Sequence, residues 1–185
     1  MNTQEFTLGR LTSDLTLPAF DCGDADLNSF LANDAAAYQR ERFTVTHLLY
    51  CKADDDNLLL AGYFCLLTDK LVFDPSDEEQ RKQWKVFNKL NRIHFNKHRK
   101  MYPSIKIGRL AIDLAFAGKG LGRYLMNRII NIVLSIEDIG CRFITVDAYK
   151  NAFDFYLKND FRFLSDEDAD DETRVMYFDI KRFAA

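Results

Sequence analysis

Features that would place this protein in a membrane or outside the cell are missing from its sequence. No apolar run in its 185 residues is long enough to cross a bilayer. The start, Met1 to Glu5, lacks the basic and apolar stretches of a signal peptide. The cysteines are scattered without paired spacing, which argues against a disulfide framework or a zinc site; they are Cys22, Cys51, Cys65 and Cys141. We therefore expect a cytoplasmic protein with reduced core thiols and no membrane partner.

Repeats, low-complexity tracts and linkers are also lacking, so we predict a single domain over residues 1–185. The pattern is mixed α/β. Strands are expected at 5–11, 43–51, 58–67 (with 69–73 as an extension), 105–114, 142–148, 161–164 and 174–180. Helices are expected at 23–40, from 74 to about Lys100 in one or two pieces with Pro103 closing the region, at 121–137 and at 151–158. The crossover helix at 121–137 favours parallel pairing of the strands on either side of it.

Acidic residues are absent from Arg81 to Ile112, although the whole chain has a net charge of −3. The cations of this segment are Arg81, Lys82, Lys85, Lys89, Arg92, Lys97, Arg99, Lys100, Lys106 and Arg109. Trp84, Phe87 and Phe95 are interleaved with them. Two interpretations stay open: an amphipathic helix with a solvated basic face, or a surface for an anionic partner such as RNA.

Glycine is concentrated in one turn, Gly118-Lys119-Gly120-Leu121-Gly122, between an apolar strand and an amphipathic helix. Glycines let a backbone approach an anion closely, because no Cβ stands in the way. The helix that follows presents unpaired N–H groups and the positive end of its dipole. The order of strand, glycine turn and helix therefore predicts a phosphate-binding cradle.

Two blocks together resemble the GNAT superfamily of N-acetyltransferases. The first runs from Arg109 to Asp113 and continues through the glycine turn to Arg123, as in the family's acyl-CoA motif. The second is Val146-Asp147-Ala148 followed by Phe155-Tyr156-Leu157-Lys158-Asn159-Asp160-Phe161, which is similar to the family's later motif. The segment from Phe20 to Leu31 resembles the opening helix of the branch that includes acetyltransferase toxins of toxin–antitoxin operons.

The resemblance implies a splayed mixed sheet flanked by helices, with acetyl-CoA held where two central strands part. Main-chain groups of Leu110, Ala111 and Ile112 would pair with the pantetheine arm of the cofactor. The pyrophosphate would be held by main-chain N–H groups of Gly118, Lys119, Gly120, Leu121, Gly122 and Arg123. The side chains of Lys119 and Arg123 would add positive charge.

The chain departs from the family pattern at three positions. Ala117 stands where the family usually has Gln or Arg, so we expect the anion contacts to rest on the main chain. Tyr149 replaces a frequent Asn, and the nearby Asn151 is a candidate substitute. Asp160 replaces a late Gly, which a bend tolerates because Asp adopts left-handed backbone more readily than most residues.

Tyr156 is the predicted catalytic residue, because the resemblance places it near the thioester as the acid that protonates the departing thiolate. A phenol with a pKa of about 10 is a plausible acid for a thiolate whose thiol has a pKa of about 8.5. The alternative is that Tyr156 is one more core aromatic residue.

No general base is evident from the sequence. Asp113 is better suited to a cap, and Asp147 and His47 are candidates acting through water. Deprotonating a lysine at pH 7 costs roughly 4–5 kcal/mol, against about 1 kcal/mol for an α-amine. A site without a strong base therefore favours an α-amine acceptor.

No metal is expected, although His94 and His98 are four residues apart. They lack the Glu of the zinc-protease pattern and stand among cations.

The main prediction is an N-acyltransferase that moves the acetyl group of acetyl-CoA to a primary amine by direct attack. The acceptor is either a small-molecule or peptide amine, or the α-amine of an aminoacyl-tRNA bound through Arg81–Arg109. In the second case the protein would be a toxin with an antitoxin partner. A homodimer is also considered, and the rival from another class is a non-enzymatic module that binds acyl-CoA or a protein partner on the same fold.

Overall fold

The computed structural model describes residues 5–12, 15–52, 57–74, 76–94 and 100–183. The chain divides into two compact units, each made of two segments. The first unit is Met1–Leu67 with Ile107–Arg128, and the second is Thr68–Lys106 with Ile129–Ala185. Strands β3 (Leu58–Val72) and β4 (Met101–Ile112) and helix α4 (Leu121–Leu134) contribute residues to both units.

The first unit has the strand order β1-β2-β3-β4, with β1 at Phe6–Arg10 and β2 at Val45–Lys52. Both β1 and β3 run antiparallel to β2. The predicted helix at 23–40 is helical from Ala25 to Arg40, with α1 at Ala25–Ser29, a π-helical turn at Phe30–Asp34 and α2 at Ala35–Arg40. Its apolar stripe fills the core of this unit, where Phe30, Leu31 and Ala35 are buried together with Leu48, Tyr63 and Ala111.

The second unit has the strand order β3-β4-β5-β7-β6, with β5 at Phe143–Tyr149, β6 at Arg162–Phe163 and β7 at Thr173–Asp179. Strand β4 pairs in parallel with β5, from Ser104–Phe143 to Lys106–Thr145. Strand β7 is antiparallel to β5 along its whole length. The parallel pairing and the mixed α/β class are confirmed.

Phe87 on helix α3 (Glu78–Leu90) is the centre of the aromatic core of the second unit. Its ring centroid lies 5.0–5.2 Å from the rings of Phe73, Tyr102, Phe143 and Tyr177. Trp84, one turn earlier, donates its indole N–H to the Tyr102 hydroxyl at 2.9 Å. Both aromatic residues of the basic segment in this helix therefore pack on the sheet, and Phe95 is outside the described residues.

The helical region predicted to about Lys100 is interrupted, because α3 ends at Leu90 and residues 91–94 are not helical. The Ile93 N–H bonds back to the Asn88 carbonyl at 2.9 Å, and Arg92 has a left-handed φ of 49°. These two features form a Schellman-type helix end. The left-handed residue of this motif is usually Gly, so the Arg at position 92 gave no sequence signal for it. Lys97, His98 and Arg99 are outside the described residues.

Pro103 was also misplaced, because it lies inside β4 instead of closing a helix. Strand β4 starts at Met101, and the Pro103 carbonyl accepts a hydrogen bond from the Arg142 N–H at 3.1 Å. At the other end β4 stops at Ile112, so that Leu114 belongs to a 3-10 turn, Leu114–Phe116. Proline is tolerated near a strand start, where few ladder bonds need its missing N–H.

Candidate active site

Asp113 organises the turn that follows β4. Its carboxylate accepts hydrogen bonds from the N–H of Ala115 and from the N–H of Asp21, both at 2.9 Å. The Leu114 N–H in turn bonds to the Asp21 carbonyl at 2.8 Å. Asp113 is therefore a cap that ties the turn to a distant loop, as expected, and its oxygens are committed to backbone donors.

Gly118 and Gly120 give the next turn its shape, because both have left-handed backbone, with φ of 73° and 80°. A Cβ placed on either residue would meet no atom within 4 Å. The space beside this backbone is open to an approaching ligand, and the need for glycine comes from the left-handed angles. Ala117 is exposed beside them, with no polar side chain to offer.

Helix α4 begins at Leu121, directly after the glycines. Among the described residues, none accepts a hydrogen bond from the N–H groups of Leu121, Gly122 or Arg123, whereas the Tyr124 N–H bonds to the Gly120 carbonyl at 3.1 Å. No acidic side chain stands in the first turn. The turn thus presents convergent donors and a positive dipole end, which suit a phosphate group.

Lys119 and Arg123 were expected to add charge to this turn. The Lys119 ammonium donates to the Ala115 carbonyl at 2.8 Å and lies 5.0 Å from the centre of the Phe116 ring. It is therefore held over the 3-10 turn. Arg123 is exposed on the first turn of α4.

Leu110, Ala111 and Ile112 form the end of β4, next to a tight approach by β3. A Cβ on Gly62 would lie 2.8 Å from both the Ala111 carbonyl oxygen and the Ile112 Cδ1. Sequence reasoning missed Gly62, although a glycine inside a strand signals a close backbone approach. All candidate residues from Leu110 to Arg123 belong to the first unit.

Tyr156 lies on α5 (Phe153–Leu157) in the second unit and is buried, with 6% of its surface exposed. Its ring packs against Phe155 and Phe161, at 5.2 and 5.3 Å between ring centres. Burial raises the pKa of the Tyr156 hydroxyl. No described residue is hydrogen-bonded to this hydroxyl, so the phenol is neutral at pH 7 and its proton is uncommitted.

Asp160 ends the α5 region with a left-handed φ of 65°, as expected for the position where the family has Gly. The bend brings the Phe161 N–H to the Tyr156 carbonyl at 3.1 Å. Asn151, the proposed substitute for the missing Asn, is exposed in the 3-10 turn Lys150–Ala152 that precedes α5.

The two candidate bases are both weak. His47 is buried and stacked on Phe64 at 4.7 Å between ring centres, and burial, with a smaller effect of Arg10, lowers its pKa to about 4. Asp147 is bound to the Lys106 ammonium at 2.6 Å. A base of such low pKa, or one neutralised by an ion pair, removes protons poorly from an amine.

Some cations in the described part of the basic segment are paired with other residues of the chain. Lys82 pairs with Glu78 and Glu79 on exposed helix surface. Arg109 lies 3.8 Å from the Phe30 ring centre and 3.6 Å from an Asp26 oxygen. These members of the segment are therefore structural.

Among the residues that the structure describes, no group of three or more His, Cys, Asp or Glu is placed to hold a metal ion. His94 lies beyond the end of α3. Within the same residues, no helix is long and apolar enough to span a membrane.

Comparison with known proteins supports the fold and the family of the matched segment. Residues 93–181 match the family model described as the acetyltransferase (GNAT) domain. Of the solved structures, the toxin AtaT complexed with acetyl-methionyl-tRNAfMet is 26% identical, with a TM-score of 0.73 and 97% of each chain covered.

Two further structures have the same fold. AtaTR bound with acetyl-CoA is 25% identical, with a TM-score of 0.73, covering 96% of this chain and 95% of that one. A mutant of KacT is 24% identical, with a TM-score of 0.75 and 97% of each chain covered, which supports the fold alone. Residues 93–181 therefore match an acetyltransferase (GNAT) domain, and the chain has the fold of AtaT and KacT.

Proposed function

We propose that this acetyltransferase moves the acetyl group of acetyl-CoA to the α-amine of an aminoacyl-tRNA. The observation that carries the choice of acceptor is the weakness of both candidate bases, His47 and Asp147. Further support comes from AtaT, which was solved with acetyl-methionyl-tRNAfMet and is similar over 97% of this chain.

The first half of the proposal concerns acetyl-CoA. Its pyrophosphate needs several convergent donors, and the unpaired N–H groups at the start of α4 fit that need. The open space beside Gly118 and Gly120 fits the close approach of an anion to the backbone. Leu110, Ala111 and Ile112 would bind the pantetheine arm through their main-chain groups.

The second half concerns proton transfer. The neutral amine attacks the thioester carbonyl, so that a C–N bond forms while the C–S bond breaks. Tyr156 donates its hydroxyl proton to the departing sulfur, and the surplus proton of the amine nitrogen returns to the phenolate or to solvent. Burial raises the pKa of Tyr156, and the same lack of water would raise the pKa of a thiol bound beside it, so the difference between the two pKa values changes less than either value alone.

The acceptor follows from the cost of making a neutral amine. With no strong base, a lysine side chain costs roughly 4–5 kcal/mol to deprotonate at pH 7, which is a rate loss of about three powers of ten. An α-amine costs only about 1 kcal/mol. The proposed acceptor therefore reacts without a general base stronger than His47 or Asp147.

The test is incubation with labelled acetyl-CoA and a panel of acceptors: aminoacyl-tRNAs, peptides with a free α-amine, peptides with only lysine amines, and small amines. We expect label on aminoacyl-tRNA, and on α-amines before lysines. Equal rates on lysine and α-amine peptides would overturn the argument from the missing base. Label on small amines alone would identify a small-molecule acetyltransferase instead.

A partner follows from the same proposal. AtaT has been solved bound to the antitoxin AtaR with acetyl-CoA, and KacT is known in a KacTA–DNA complex. We propose that this chain is the toxin of such a pair and has an antitoxin protein as its partner. Expression of the chain alone should then stop translation, and co-expression of the small protein from the neighbouring gene should relieve the arrest.

A further inference from the structure

A pocket of about 520 Å³ lies in the second unit, on residues that play no part in the proposed chemistry. It is lined by the end of α3 and the two residues after it, by the residue before β5, by β6, by the end of β7 and by the turn after β7. We call it the basic pocket. Its lining residues are 90–92, Arg142, Arg162, Asp179, Lys181 and Arg182. Every element that lines it except the end of β7 contributes a cation.

The charge of the basic pocket is far from balanced. Asp179 is its single carboxylate, and both of its oxygens are used by Arg142, with Nε at 2.6 Å and Nη2 at 2.8 Å. Asp179 also accepts from the Lys181 main-chain N–H at 3.1 Å. Within the described residues, the side chains of Arg92, Arg162, Lys181 and Arg182 have no ion pair.

Uncompensated cations that face one pocket repel each other, so an arrangement of this kind is stabilised by a bound anion. The guanidinium of Arg142 is held in place by the Asp179 carboxylate and by the Asn91 carbonyl, which lies 2.9 Å from Nη2. Asp179 is 5% exposed, so this pair is a rigid part of the wall.

Arg92 adds an independent observation. It occupies the left-handed position after α3, with φ of 49°, where glycine is favoured over other residues. The carbonyl groups at the end of α3 attract a cation there and account for one charge. They do not account for Arg162, Lys181 or Arg182, which come from other elements.

The chemistry of the lining selects the class of anion. Guanidinium groups bind phosphate through paired N–H donors, and four of the five cations are arginines. Leu90 is the single apolar residue of the lining, so the pocket offers few of the apolar side chains that anchor a peptide. Closely spaced charges without apolar anchors match consecutive phosphates of a nucleic acid strand better than an acidic peptide.

We propose that the basic pocket is a second phosphate-binding site of this chain, which receives backbone phosphates of the tRNA acceptor. The proposal deepens the proposed function and rests on it, because it assigns the residues that recognise the RNA. It also replaces much of the segment Arg81–Arg109 as the expected RNA contact, since Arg92 is the member of that segment that lines the pocket.

The experiment measures equilibrium binding of deacylated tRNA, which needs no chemistry, at a series of salt concentrations. The variants are Arg162→Ala and Arg182→Ala, with Arg182→Lys to separate charge from the guanidinium fork. Arg128→Ala is the matched control, because Arg128 is an exposed arginine on α4 outside the pocket. Unlabelled tRNA, inorganic phosphate and polyglutamate serve as competitors.

We expect each alanine variant to weaken tRNA binding about fivefold or more and to lower the slope of log K against log salt by about 1. Arg182→Lys should keep the slope while losing part of the affinity. Unchanged affinity and slope in both alanine variants would overturn the proposal, as would polyglutamate displacing tRNA more strongly than inorganic phosphate at equal charge.

The proposed function fails separately from this proposal. If the wild-type protein does not acetylate aminoacyl-tRNA yet binds deacylated tRNA through the pocket, the acceptor is wrong and the phosphate site stands. If the wild-type protein acetylates aminoacyl-tRNA and the pocket variants bind tRNA normally, the acceptor stands and the pocket does not recognise RNA.

Discussion

The carbonyl oxygen of Ala111 lies 2.8 Å from the point that a Cβ atom on Gly62 would occupy. Strand β3 thus comes so close to the end of β4 that only a glycine fits between them. Ala111 is one of the three residues expected to bind the pantetheine arm through their main chain. The absence of a side chain at residue 62 therefore fixes the backbone that would form part of the proposed cofactor site.

Gly62→Ala should push these strands apart. The added methyl would meet a backbone oxygen and Ile112 Cδ1 at 2.8 Å, and backbone cannot move aside as a flexible side chain does. We expect a loss of about 1–3 kcal/mol in the free energy of unfolding, measured by urea denaturation, and a higher KM for acetyl-CoA. Gly140→Ala is the control, since a Cβ there meets nothing within 4 Å. A Gly62→Ala protein as stable as the control would contradict the tight approach.

Gly118→Ala and Gly120→Ala test the cradle by a different mechanism. A Cβ has room at both positions, so the penalty comes from their left-handed φ and amounts to about 1–2 kcal/mol. If the backbone adjusts to relieve this strain, the N–H groups no longer converge. We expect weaker acetyl-CoA binding in calorimetry and little change in kcat at saturating acetyl-CoA. An unchanged dissociation constant for acetyl-CoA in both variants would show that the glycine turn does not bind the pyrophosphate.

Tyr156→Phe separates the acid from the core aromatic residue. The ring contacts with Phe155 and Phe161 are retained, and the lost hydroxyl has no hydrogen bond to any described residue, so stability should barely change. We expect kcat to fall roughly 10²- to 10⁴-fold while the affinity for acetyl-CoA stays within a factor of about two. Tyr50→Phe is the control, because its hydroxyl is also buried without a partner and is far from the motif in sequence. Full activity of Tyr156→Phe would leave Tyr156 with a packing role only.

Local signals made the backbone around the candidate site predictable. The glycine turn, the crossover helix α4 and the bend at Asp160 each depend on neighbouring residues, so their backbone follows from short stretches of sequence. The end of α3 was not predictable in the same way, because Arg92 stands where glycine is the usual sign. The basic pocket was hidden for another reason: its walls come from residues 90–92, 142, 162, 179, 181 and 182, which only the folded sheet brings together.

His47 predicts a specific dependence of stability on pH. Burial holds its folded-state pKa at about 4, below the unfolded value of about 6.5, so the unfolded chain binds the extra proton between these values. Stability contributed by neutral His47 is therefore complete above pH 6.5 and is lost as the pH falls towards 4.

His47→Gln removes the group that takes up this proton, and the slope of unfolding free energy against pH between 4.5 and 6.5 should become shallower than in the wild type. The comparison uses slopes because the substitution also removes the stacking on Phe64, which shifts stability equally at every pH. Identical slopes in the two proteins would mean that His47 titrates in the folded state near its ordinary pKa, and it would then return as a candidate base for the amine.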